Sequence, residues 1–106
     1  LGGTGLDRMA RASHARARQT AEALAAVPGV ELVNRAYFNE FAVRLPGDAR
    51  EVVRALADRG VLGGVSLGRL YPGVDALMSG LLVAATETTT DEDIAAFATA
   101  LKEVLA

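Results

Sequence analysis

The 106-residue sequence has no cysteine, a single histidine and a single lysine, and these absences limit its chemistry. Without cysteine there are no disulfide bonds and no thiolate metal ligands, and nothing indicates secretion. A Cys–His nucleophile is excluded, and a Ser–His–Asp triad is poorly supported because His14 lies on a predicted arginine-rich helix face. Lys102 falls in the last turn of a predicted amphipathic helix, a poor position for a Schiff-base lysine. From its residues alone, we do not expect this chain to be a self-contained enzyme.

Strong charge and long apolar runs are also missing. The net charge of −2 argues against a dedicated nucleic-acid binder. No apolar run approaches the ~18 residues that a membrane span needs, and the N-terminus has no signal-peptide pattern. About half of the residues (51%) are hydrophobic, which is enough for one packed core. We therefore expect one soluble, cytoplasmic domain that binds neither nucleic acid nor a membrane.

The strand pattern is clearest in residues 38–45. Phe41, Val43 and Leu45 alternate with charged or small residues, which predicts a strand with one buried and one exposed face. Pro46 closes this strand. A second short strand is predicted at 30–34, and the brief link between the two makes them neighbours in one sheet. The continuous apolar run 81–85 is typical of a central strand buried on both faces.

Helical periodicity is present in three segments. An alanine-rich stripe predicts a helix over 6–27, in which Leu6, Met9 and Ala10 open the buried face. A capping box at Asp48–Glu51 begins the second helix, which ends at Gly60 and buries Val52, Val53, Leu56 and Ala57. Thr90 or Asp91 caps a third helix that runs to the C-terminus.

The remaining segments connect these elements. Residues 61–73 are glycine-rich, apolar and irregular, and 74–80 are predicted to form a turn or short helix. The element order predicts an α+β fold: a small, mostly antiparallel sheet with helices on one face.

The first residues, Gly2 to Gly5, indicate a flexible entry, and the chain has no initiator methionine. We expect residues 1–5 to be the remnant of an interdomain linker and residues 6–106 to form a single domain. A phosphate-binding loop is the alternative, but no lysine follows the glycines and no strand precedes them.

The basic residues of the first helix, and Arg69, each leave two interpretations open. Arg8, Arg11 and Arg18 share one face of the first helix with His14, and this face either is simply solvated or docks a phosphate or acidic partner. A metal role for His14 is disfavoured because no second histidine or cysteine is present. Arg69 either makes a functional contact or forms an ordinary surface salt bridge.

The sequence contains Phe38-Asn39-Glu40-Phe41 followed by Arg44-Leu45-Pro46. This is the most specific of a series of motifs by which the chain resembles the glycine-cleavage P-protein family in its split form, at subunit 1. The likeness extends over essentially all 106 residues. The resemblance implies that residues 6–106 are the C-terminal small domain of an aspartate-aminotransferase-like (type I) pyridoxal-phosphate enzyme.

The resemblance also implies an activity, in which glycine is decarboxylated on pyridoxal phosphate and its aminomethyl group passes to the lipoyl arm of H-protein. In the split form the cofactor lysine belongs to subunit 2, so the implied partners are subunit 2 and lipoylated H-protein. No catalytic, cofactor-binding or metal-binding residue is expected in this piece, which should be inactive alone. Many type I relatives carry a carboxylate-binding arginine in the small domain, shortly after a late strand. At the corresponding place this sequence departs from the pattern and has Thr86-Glu87 in place of an arginine.

The candidate site residues are Asn39, Glu40, Arg69, Thr86 and Glu87. We expect them to face the large domain or subunit 2, because they are polar, lie at the ends of predicted core strands and adjoin a glycine-rich loop. One competing hypothesis is a small regulatory or ligand-binding α+β module of ferredoxin-like or ACT-like type, against which the helix-before-strand order argues. Another is a domain that serves only as an oligomer scaffold.

Overall fold

The structure is a computed structural model that describes residues 3–33, 39–61, 64–85 and 89–106. Helices and strands follow one another along these ranges in the order α1 (Gly3–Ala25), β1 (Glu31–Leu32), β2 (Glu40–Arg44), α2 (Ala49–Asp58), β3 (Val65–Ser66), α3 (Leu67–Leu70), one 3₁₀ turn (Asp75–Leu77), β4 (Gly80–Ala84) and α4 (Asp91–Leu105).

The four strands form one antiparallel sheet in the order β1-β2-β4-β3. The predicted strand through Phe41 is therefore interior, and Phe41 lies opposite Val83 on β4. Phe41 is 1% exposed, so its alternating neighbours divide correctly between a buried and an exposed face. The α+β class with a small antiparallel sheet is confirmed, while Phe38 lies outside the described residues.

Helices α1, α2 and α4 supply the other half of the core. The buried stripe of α1 is small, with Ala17 and Ala21 almost fully buried, which allows close packing against the sheet and α4. Leu56 of α2 and Leu101 of α4 are fully buried in the same cluster as Phe41. Burying a side chain of this size contributes roughly 1.5–3 kcal/mol.

Side-chain caps fix where α2 and α4 begin. The Asp48 carboxylate accepts a hydrogen bond from the Arg50 backbone N–H at 2.9 Å, rather than closing the predicted box with Glu51. The short aspartate side chain reaches the nearer of the free N–H groups in the first turn. Thr90 and Asp93 do form a reciprocal capping box on α4.

Several helix predictions were wrong in detail. Helix α1 begins at Gly3 rather than Leu6 and ends at Ala25, since backbone hydrogen bonds extend a helix despite a cost of about 1 kcal/mol per glycine. Met9 is 48% exposed rather than buried. The side chains of Leu6 and Ala10 are not among those that the structure describes. On α2, Ala57 was predicted to be buried but is exposed, and Ala49 in the first turn is buried. None of the helices in the described ranges is long and apolar enough to cross a membrane.

Strand β4 corrects a further prediction, because it is not buried on both faces. Leu81 and Val83 are buried against the helices, whereas Leu82 is only half-buried and Ala84 is exposed. Helices α1, α2 and α4 pack on one face of the sheet, so alternate residues of this apolar run point to the other face, where the Leu67 side chain of α3 lies beside Gly80.

Candidate functional site

Two of the predicted site residues lie together at one end of the sheet. Glu40 opens β2 and is paired with Ala84 near the end of β4. The Asn39 carbonyl oxygen accepts a hydrogen bond from the Ala85 N–H at 2.9 Å. Asn39 and Glu40 therefore adjoin the point where β4 leads into residues 86–88. Thr86 and Glu87 themselves lie outside the described residues.

Arg69 lies at the other end of the sheet. Strand β3 runs antiparallel to β4, with Ser66 opposite Leu81, so the helix α3 that follows β3 is carried toward the beginning of β4. The Arg69 side chain is exposed, and its backbone N–H donates to Ser66 Oγ at 3.4 Å. The fold thus separates Arg69 from Asn39 and Glu40, and its contact with a partner stays a prediction.

A cavity of about 460 Å³ opens beside Glu40, at the end of the sheet where β4 finishes. Its walls come from the end of β4, the loop after α2, the start of β3, the first turns of α4 and one residue of α1. The polar side chains in this lining are Thr20, Glu40, Thr89 and Asp93.

The cavity lining is acidic. Glu40 and Asp93 supply its two carboxylates, and no lysine or arginine joins them among the described lining residues. The Thr90 backbone N–H donates to Asp93 Oδ2 at 2.9 Å, and this bond, with that of the Thr90 hydroxyl, lowers the pKa of Asp93 below its ordinary value. The lining therefore offers hydrogen-bond acceptors. No group of three metal-ligating side chains occurs in the part of the chain that the structure describes.

Asp93, Thr20 and Gly64 are lining residues that sequence reasoning did not select. Asp93 has a sufficient local role in the capping box of α4, and only the packing of α4 beside the end of β4 brings it to the cavity. Thr20 is buried, with its hydroxyl donating to the Arg16 carbonyl at 2.7 Å. Gly64 passes so close to β4 that a Cβ atom there would lie 2.2 Å from the Leu82 carbonyl oxygen.

The basic residues of α1 lie away from this cavity. Arg8, Arg11 and Arg18 are exposed, which leaves both hypotheses for their face open. Arg16, by contrast, bonds to Asp91 at 2.5 Å and ties α1 to the start of α4. Lys102 is exposed in the last turn of α4, as its position in the sequence predicted.

Comparison with known proteins identifies relatives along the whole chain. It is 69% identical over 106 residues to a probable glycine dehydrogenase (decarboxylating) subunit 1 of Novosphingobium aromaticivorans. It is 61% identical over the same length to the protein of that name in Rhizorhabdus wittichii. The matches cover 100% of this chain but only 24% and 23% of those relatives. No family model matches the sequence.

Solved structures agree with the sequence relatives. A glycine decarboxylase (P-protein) of the glycine cleavage system, solved in inhibitor-bound form, superposes with a TM-score of 0.86 at 42% identity, covering 99% of this chain and 23% of that one. The aminotransferase TlmJ from Streptoalloteichus hindustanus shares the fold, with a TM-score of 0.71 at 18% identity over 94% of this chain and 32% of that one. The chain spans about a quarter of the length of the curated relatives it matches. Along its whole length, therefore, this chain is homologous to part of the glycine dehydrogenase (decarboxylating) subunit 1 family.

Proposed function

We propose that this chain is the C-terminal small domain of subunit 1 of a glycine-cleavage P-protein. The complete enzyme decarboxylates glycine on pyridoxal phosphate in the cytoplasm and passes the aminomethyl group to lipoylated H-protein. The observation that carries the proposal is the 69% identity to a subunit 1 sequence over all 106 residues, supported by a TM-score of 0.86 to a glycine decarboxylase.

The described residues do not suit the cofactor of such an enzyme. Pyridoxal phosphate needs a lysine for its aldehyde and cationic or N–H donors for its phosphate. The cavity at the sheet end presents the carboxylates of Glu40 and Asp93 instead, and the chain's one lysine, Lys102, is not part of its lining. We therefore place the cofactor and the catalytic lysine outside this chain. Their assignment to the partner subunit 2 rests on the resemblance to the split form of the family.

In this proposal the sheet end that carries Asn39 and Glu40 faces the large domain or subunit 2. The acidic lining suits a partner segment that brings arginine or lysine, because a carboxylate paired with such a group forms a charge-assisted hydrogen bond. Thr86 and Glu87 follow β4 after one intervening residue in the sequence, and we assign them to the same surface. Arg69, at the opposite end of the sheet, would need a separate contact.

The test is the exchange of labelled bicarbonate into the carboxyl group of glycine. Full-length subunit 1 containing these 106 residues is mixed with subunit 2, pyridoxal phosphate and lipoylated H-protein, and exchange is expected. Deletion of the 106 residues should abolish exchange, and this chain alone should show none. Exchange that is undiminished by the deletion, or absent from the complete mixture, would contradict the proposal.

The rival hypothesis of a regulatory or ligand-binding module predicts a different result. Such modules repeat strand–helix–strand units, whereas the described elements begin helix, strand, strand, helix. Isothermal titration of this chain with amino acids distinguishes the two, since tight stoichiometric binding supports the module and an absence of heat supports the domain of a larger enzyme.

Size-exclusion chromatography with and without subunit 2 tests the third hypothesis, that of an oligomer scaffold.

A further inference from the structure

One face of the sheet lies opposite α1, α2 and α4 and carries an apolar row that crosses β2, β4 and β3 and reaches the residue directly after β1. The row is Val33, Ala42, Leu82 and Val65. The register places Leu82 opposite both Ala42 and Val65, and the Val33 N–H bonds to the Ala42 carbonyl at 2.9 Å. Val33 is 53% exposed and Val65 is 41% exposed. We call these four residues, with Ala84, the open face.

The open face has the layout of an interface rather than of a solvated surface. An antiparallel sheet with one wet face normally alternates apolar and polar residues, but β4 is apolar at every position after Gly80. The polar residues are at the border, where Arg44 bonds to Glu31 at 3.2 Å on one side and Glu40 lies on the other. An apolar centre within a polar rim is typical of surfaces that bind another protein surface.

The size of the row indicates what covers it. Neighbouring strands lie about 4.8 Å apart, so a row across four strands is only about 15 Å wide. A free dimer needs roughly 800 Å² from each partner, more than this row supplies. Contacts within one polypeptide can be smaller, because the covalent connection raises the effective concentration of the two surfaces. The curated relatives have about three-quarters of their length beyond the part that matches this chain.

We infer that the open face is the surface on which the rest of the subunit 1 polypeptide packs. This inference rests on the proposed function, since it takes the chain to be one domain of that longer protein. It goes beyond the proposed function because it assigns the interdomain contact to the strands and leaves the outer surfaces of α2 and α4 to solvent.

Cysteine labelling tests this assignment, because the chain has no cysteine of its own. Val65→Cys and Ala84→Cys place thiols on the open face, and Ala57→Cys places one on the exposed side of α2 as the matched control. Alkylation rates are measured by peptide-resolved mass spectrometry in this chain and in full-length subunit 1. We expect the alkylation rate of the open-face thiols in the full-length protein to be about one-tenth of their rate in this chain, or lower. The reason is that a covered site reacts only after local opening. The Ala57→Cys rate should not change.

Other results would overturn the inference. Equal rates for Val65→Cys and Ala84→Cys in the two proteins would show that the rest of the polypeptide does not cover this face. Slowing that appears in the 106-residue chain itself as its concentration rises would identify a second copy as the occupant. The bicarbonate exchange assay is independent of labelling, so failure of the proposed activity and failure of the docking surface are separately visible.

Discussion

Phe41 is the residue on which the core depends most. It is 1% exposed, lies on an interior strand and is the largest of the fully buried side chains in the described ranges. We expect Phe41→Ala to lower the free energy of unfolding by about 3–5 kcal/mol, because it removes buried apolar surface and leaves a cavity. Urea unfolding followed by circular dichroism measures this loss. Leu70→Ala, at a position that is 49% exposed, is the control and should cost less than about 0.5 kcal/mol. A similar loss in both variants would contradict the assignment of the core.

Gly64 holds a position that other residues cannot occupy without strain. Its φ of +138° is in the region that favours glycine, and an added Cβ would lie 2.2 Å from a backbone oxygen of β4. Gly64→Ala should destabilise the chain by about 1–3 kcal/mol, measured as a shift in the urea midpoint. Gly47→Ala is the matched control, since its Cβ would meet nothing within 4 Å. Equal stability of the two variants would show that the close approach to β4 is absent in solution.

The helix termini make stability depend on acid. The Arg50 guanidinium, bonded to Asp48 at 3.1 Å, lowers the pKa of that carboxyl below its ordinary 3.8, and the Thr90 backbone N–H lowers the pKa of Asp93 in the same direction. A carboxyl whose pKa is lower in the folded state contributes stability above its unfolded pKa, and this is lost as the pH falls through the folded value. Urea midpoints should therefore decrease as the pH is lowered from about 6 to about 2.

Substitution of each cap tests this assignment. Asp48→Asn and Asp93→Asn retain hydrogen-bonding side chains but lose the charge, so each should flatten the acid dependence. Thr99→Ser, at an exposed position of α4 that carries no carboxyl, is the control and should leave the acid dependence unchanged. An unaltered slope in both cap variants would mean that other carboxyls cause the acid loss.

At the scale of the whole molecule, Glu40 is the described residue best placed to act on a partner. It is exposed, opens the interior strand β2 and lines the cavity at the sheet end. Glu40→Gln in full-length subunit 1 should reduce glycine–bicarbonate exchange or binding of subunit 2 by about tenfold, the order expected when one charged hydrogen bond is lost. Glu22→Gln, on the exposed side of α1, should leave both unchanged. Equal effects of the two substitutions would remove Glu40 from the candidate site.

The whole molecule also shows which parts of the candidate site were accessible to sequence reasoning. Asn39 and Glu40 were selected because they are polar residues at the end of a predicted core strand, and the structure places both at one end of the sheet. Asp93 was missed because its role as a cap is sufficient locally, and its place in the cavity depends on how α4 packs. Arg69 was grouped with Glu40, yet the antiparallel course of β3 carries it to the opposite end.

The sequence by itself determined the α+β class, the strand through Phe41 with one buried and one exposed face, and the positions at which α2 and α4 begin. These follow from periodicity and short-range hydrogen bonds, which depend on residues within a few positions of one another. Only the tertiary structure decided that β4 lies between β2 and β3, that Arg69 is far from Glu40 and that Leu82 and Ala84 lie on the face opposite α1, α2 and α4. Strand order and register arise from packing between distant segments, and no local pattern contains that information.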